Sequence, residues 1–176
     1  MKPVERMYSD HQTVLDYLAG QQQVSYHATL QTTLPKVLLL AAASEFEHRV
    51  SDTLRDHVRE HASDLKILHI IDQKALGRQY HSLFTWNARN ANTFWALFGN
   101  DFKEGMKAYC REDSLLDAQI RAFLEIGDLR NQMVHNNYVD FILEKTLDEV
   151  YNLYVEGDRF VSRLPELLKF DFGPSS

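Results

Sequence analysis

Leu129-Arg130-Asn131-Gln132-Met133-Val134-His135 closes a helical pattern that begins near Leu115, and reading this stretch as the end of a long helix decides the fold. With Leu116 as zero and an advance of about 100° per residue, Ile120, Phe123, Gly127, Asn131 and Val134 fall between about −20° and +60°, one apolar stripe. The helix is expected from about Leu115 to Asn136, with Ser114 as its cap. Arg130 lies near −40° and His135 near +100°, about 140° apart, so the two cannot stack on one face. A second copy bringing its own pair against the stripe would resolve this. Leu116, Ile120, Phe123 and Gly127 are therefore read as the interface of a homodimer with a shared site, Gly127 allowing close approach of a backbone.

The same period recurs along the chain. The 176 residues contain only 7 Gly and 4 Pro, and no alternating apolar-polar run exceeds a few residues, so the fold class is all-α. A first helix is expected from Ser9 to Ala19, capped by Ser9, with Val14, Leu15 and Leu18 on one face and a stop at Gly20. Gln21-Gln22-Gln23 and Thr32-Thr33 read as a polar connection with room for a short helix between them. Pro35 suits the first turn of a second helix reaching His61, with Leu39, Phe46, Val50, Leu54 and Val58 buried. Ser63 would cap a third, Asp64 to Leu76, ended by Gly77.

From Arg78 to Asn92 the pattern loosens into a polar loop carrying Trp86. Short helices are expected at Thr93–Phe98 and Asp101–Arg111, and a last one at Thr146–Leu168, bent or ended by Pro165. Residues 1–170 read as a single domain, large enough to bury roughly two-thirds of its unfolded surface, and 171–176 as a flexible tail.

Net charge is −6, which argues against a broad nucleic-acid-coating surface more than against a catalyst with a small cationic cleft. The lone Cys110 has no disulfide partner within the chain. Met1–Arg6 lacks the apolar core of a secretory signal, and Val37–Ala43 is far shorter than the roughly 20 residues that span a bilayer, so a cytoplasmic location without membrane contact is expected.

Arginine holds phosphate through two parallel hydrogen bonds and histidine exchanges a proton near neutral pH, so Arg130 and His135 suit phosphodiester chemistry. The Arg-x4-His run, with Asn131 directly after the arginine, resembles the motif of the HEPN superfamily, helical proteins in which Arg-x4–6-His marks metal-independent ribonucleases. Asn92–Gly99 and Ala43–Glu47 resemble the Leu-Phe-ended segment and acidic second helix of the branch associated with RNase-LS-like and phage-defence proteins. The resemblance implies a HEPN-like up-and-down helical bundle with additional short helices. It further implies an endoribonuclease acting on single-stranded or loop RNA through attack of a ribose 2′-OH on its own phosphate, used as a toxin or phage-defence effector.

In that reading His135 is general base or acid, Arg130 stabilises the phosphate charge, and Asn131, four residues before His135, positions the imidazole or the phosphate. Neither metal nor cofactor is required. Glu45 or Glu47 would supply the acidic group that faces the motif arginine, unless both lie on a solvated helix face. An antitoxin or defence-system partner protein is also implied. The alternative is a non-catalytic HEPN-like module that binds a protein partner or a nucleotide.

Two other patterns compete. His57-Val58-Arg59-Glu60-His61 has zinc-ligand spacing, but the third carboxylate and mixed α/β domain of metalloproteases are missing from the pattern, and a solvated face is the plainer reading. Trp86, Tyr80 and Phe84 beside Arg78 and Arg89 are either core or a stacking platform for unpaired bases, with Asn87, Asn90 and Asn92 as base-reading groups.

Overall fold

The computed structural model describes residues 1–62, 64–77 and 79–173, and among them there is no strand. The helices are α1 (Pro3–Gly20), α2 (Val24–His61), α3 (Leu65–Ile71), α4 (Asn92–Trp95), α5 (Asn100–Glu112), α6 (Ser114–His135) and α7 (Leu147–Leu167). A π-helical turn at Asp72–Leu76 and 3₁₀ turns at Tyr80–Ser82 and Ala96–Phe98 complete an all-α bundle.

Helix α6 lies at the centre, against α7 over most of its length and against α2 and α5 elsewhere. Its buried residues run from Ala122 through Phe123 and Gly127 to Leu124, an arc of about 200°. That is far wider than the stripe read from sequence. Phe123 packs against Phe46 of α2 at 5.5 Å and Phe160 of α7 at 5.1 Å between ring centroids, each buried ring contributing roughly 1.5–3 kcal/mol. At Gly157 on α7 an added Cβ would lie 2.9 Å from the Phe46 ring and 3.1 Å from the Phe123 Cα, so this glycine lets α6 and α7 close on each other.

This packing corrects the expected dimer face. Leu116, Ile120 and Phe123 are at most 2% exposed, and Gly127 is covered by the ring of Trp86. The chain's own elements cover these four positions, which therefore offer no surface to a second copy. Val134, on the same stripe, is exposed because the helix has by then run past the core, and Met133 is buried instead.

The helix starts differ from expectation for local reasons. Helix α1 begins at Pro3, not Ser9, because proline suits the first turn and the Lys2 backbone N–H donates to Glu5 at 2.8 Å. Val14 is exposed, while Val4 and Leu15 are buried. Helix α2 begins at Val24 and carries Pro35 in its interior. The expected polar connection is thus mostly helix, and the hydroxyls of Thr29, Thr32 and Thr33 donate to carbonyls one turn back.

Asp113, not Ser114, caps α6 by accepting from the Leu116 N–H at 2.9 Å. Thr146 and Glu149 form the capping box of α7, in which Pro165 lies two residues before the end. Asp64 caps α3 by accepting from Lys66, and the expected cap Ser63 lies outside the described residues. In the segment expected as tail, the Phe172 ring covers Gly105 and meets Phe102 at 5.6 Å, while Asp171 and Gly173 are exposed. Among the described residues no helix is long and apolar enough to cross a membrane.

Candidate active site

Segment 79–91, expected as a loose polar loop, is a packed arch. Tyr80, Leu83, Phe84, Trp86 and Ala91 are buried, and Phe84 bridges Phe94 at 4.6 Å and Phe123 at 5.0 Å. Aromatic residues thus bind the arch to α4 and α6. Trp86 is core and not a base-stacking platform, since its ring lies over Gly127 and meets Phe123 at 5.7 Å. Arg89 is exposed and does not line the cleft described next, and Arg78 lies outside the described residues.

The arch, α2 and α6 form a shallow cleft whose enclosed part, about 10 Å³, has room for about one water molecule, and which reaches about 260 Å³ with its open mouth. Apolar side chains, among them Phe46, Trp86 and Phe123, form the floor. Glu47 from α2, Tyr80 and His81 from the arch, and Arg130 and Asn131 from α6 form the polar wall. Sequence reasoning named all of these except His81. His135 stands a turn beyond Arg130, exposed at the end of α6.

Arg130 donates from Nη1 to the Asn131 Oδ1 at 3.2 Å. Asn131 therefore steadies the arginine, and among the described residues no hydrogen bond joins it to His135. No carboxylate among the described residues lies within ion-pair distance of Arg130. A part-buried guanidinium that faces a cleft and holds no ion pair among the described residues is suited to receive an anion. Nor does His135 cap its helix. Asn136 does so, its Nδ2 donating to the Gln132 carbonyl at 2.7 Å.

The two acidic candidates separate. Glu45 turns toward α7, accepting from the Tyr154 hydroxyl at 2.9 Å and from Arg49, which also pairs with Asp158. Glu47 turns into the cleft, its Oε2 4.0 Å from the His81 Nε2. Residues 45 and 47 are about 200° apart around a helix, so only one can face the arginine.

Burial lowers the His81 pKa below the ordinary imidazole value of 6.5. Arg130 and His135 push it in the same direction, and Glu47 opposes them. Burial raises the Tyr80 phenol, with Glu47 adding to the rise and Arg130 opposing it. Arg130 and Glu47 thus act on both residues of the turn, and the field of His135 reaches His81 as well.

The RiboL-PSP-HEPN family model matches residues 5–169. The chain belongs to that family. No curated protein and no solved structure matches it. The match spans α2 to α7 and all but the first two residues of α1.

Outside the cleft, His57 and His61 lie ring against ring at 4.4 Å, and the His61 Nδ1 lies 2.8 Å from the His57 carbonyl. Among the described residues no third His, Cys, Asp or Glu joins them. Cys110 is half-buried, its thiol pushed up to about 11 by burial and by the nearby Asp117 and Asp113.

Proposed function

We propose that this HEPN chain is a metal-independent endoribonuclease acting on single-stranded or loop RNA, employed as a toxin or phage-defence effector. The observation that carries the reading is the state of the motif pair. Arg130 faces a cleft without a carboxylate partner, and His135 stands free at the helix end while Asn136 does the capping. A purely structural motif would use its arginine in an ion pair and its histidine as a cap.

In the reaction, the ribose 2′-oxygen forms a bond to the adjacent phosphorus as the bond from phosphorus to the 5′-oxygen breaks. Arg130 stabilises the charge on the pentacoordinate phosphate, Asn131 holds Arg130, and His135 moves a proton. The products are a 2′,3′-cyclic phosphate and a 5′-hydroxyl. An acidic protein can perform this chemistry because positive charge is needed only at the cleft. Glu47, His81, Arg130 and Asn131 of one chain line the cleft, and a second copy would have to seat beside the buried Leu116, Ile120, Phe123 and Gly127.

Cleavage of total RNA by the wild type and by His135→Ala, with and without EDTA, tests the reading. It predicts chelator-insensitive cleavage that the substitution abolishes. The second reading, a non-catalytic module binding an antitoxin or another defence-system protein, draws on the apolar surface that Val14, Tyr17, Val24 and Tyr26 expose at the turn between α1 and α2. Identical, background-level RNA turnover by both proteins would favour it.

A further inference from the structure

The proposed reaction needs two proton transfers, one from the attacking 2′-hydroxyl and one to the departing 5′-oxygen, and the motif of each chain supplies a single histidine. We propose that His81, on the arch outside the motif, is the general base that takes the 2′-hydroxyl proton, and that His135 is the general acid that protonates the leaving oxygen. This assignment rests on the ribonuclease reading and deepens it.

Geometry supports it in three ways. His81 lines the same cleft wall as Arg130 and Asn131, so a phosphate held by the guanidinium lies beside its ring. Its backbone is fixed at both ends of the turn: the Trp86 Nε1 donates to the His81 carbonyl at 2.8 Å, and Tyr80 is buried beneath it. Its side chain is still 44% exposed, and among the described residues no hydrogen bond engages the ring, so a lone pair is available to a substrate.

The groups facing His81 are Glu47 from α2, Tyr80 from its own turn, and Arg130 and His135 from α6. Their net effect, added to partial burial, keeps the imidazole neutral at physiological pH, the form that accepts a proton. In the forward step the O2′–P bond forms, P–O5′ breaks, the 2′-proton passes to His81 and the proton of His135 passes to O5′. Solvent exchange then restores both histidines.

The test uses an RNA that the wild type cuts, and a second copy with sulfur replacing the 5′-bridging oxygen at the cleaved position. A thiolate leaves without protonation, so loss of the general acid no longer matters, whereas loss of the base still does. His81→Ala, with His81→Gln as the more conservative variant, should slow both substrates at least about 10²-fold. His135→Ala should be slow on ordinary RNA and return to near wild-type rate on the sulfur substrate. The acid limb of the wild-type pH profile, where His81 gains its proton, should vanish in His81→Ala. The half-exposed ring can be removed without opening the core, and circular dichroism checks that the variants are folded.

Wild-type rates in both His81 variants would overturn the assignment, and so would sulfur rescue of His81→Ala in place of His135→Ala. A wild type inert toward RNA removes the ribonuclease reading and this assignment together. An active wild type whose rate ignores His81 removes this assignment alone.

Discussion

The indole N–H of Trp86 donates to the carbonyl of His81 at 2.8 Å while the same indole ring covers Gly127, so one buried side chain ties the arch to the central helix just below Arg130. The position of the cleft wall thus depends on a glycine without chemistry of its own.

Gly127→Ala should therefore destabilise the protein, because the added Cβ would overlap the Trp86 ring. Overpacking of this kind costs about 1–3 kcal/mol, measurable by urea denaturation. RNA cleavage should fall further than stability explains, since the displaced Trp86 carries the His81 turn with it. An unchanged denaturation midpoint would show that the ring has room to move.

Arg130→Ala and His135→Ala should each remain folded and lose at least about 10²-fold of RNA cleavage, because each removes a group that acts in the transition state. Arg130→Lys should recover little, since an ammonium cannot make the paired contact of a guanidinium. Full activity in either alanine variant would contradict the roles given to the pair.

The two glutamates should behave oppositely. Glu45→Ala leaves the buried Tyr154 hydroxyl without its acceptor, while Arg49 keeps Asp158, and should cost about 1–3 kcal/mol, with little change in the pH profile of the folded enzyme. Glu47→Ala should change stability by no more than about 0.5 kcal/mol. It should move the acid limb of activity to lower pH, because the charge that favours the protonated His81 is gone. A profile that responds to Glu45 and not to Glu47 would place the acidic group wrongly.

Stability should fall as the solution is acidified. Burial lowers the pKa of His11, His57 and His81 relative to 6.5, so below that value the unfolded chain binds more protons than the folded one, and protonation favours unfolding. Asp113, held low first by Arg163 and then by the Leu116 N–H, acts in the same direction at still lower pH, through loss of its carboxylate contacts. The urea midpoint should be lower at pH 5 than at pH 7, and a higher midpoint at pH 5 would contradict this.

Much of the architecture was legible because helix punctuation is local. Gly20, Gly77 and Gly99, the Thr146 box and the period of α6 each place a boundary with no tertiary information. Pro35 misled because a long helix tolerates an interior proline when the rest of its face is buried. The stripe on α6 misled because periodicity shows that a face is buried and not what buries it, which here is Trp86, Phe46 and α7. Arg130 and Asn131 could be read from the motif, whereas His81 could not, since a histidine in a loosely patterned segment has no local mark. The only signal was the clustering of Tyr80, Phe84 and Trp86 around it, too many aromatic residues for a solvated loop.

If the ribose 2′-oxygen attacks a phosphate held by Arg130, the chemistry is written in the ends of the products. An RNA cut by the wild type should give 2′,3′-cyclic phosphate and 5′-hydroxyl termini, and the same strand with 2′-O-methyl at the cleaved position, or as DNA, should remain intact. Products with 5′-phosphate ends, or cleavage of the 2′-blocked strand, would show that water is the nucleophile and contradict the account.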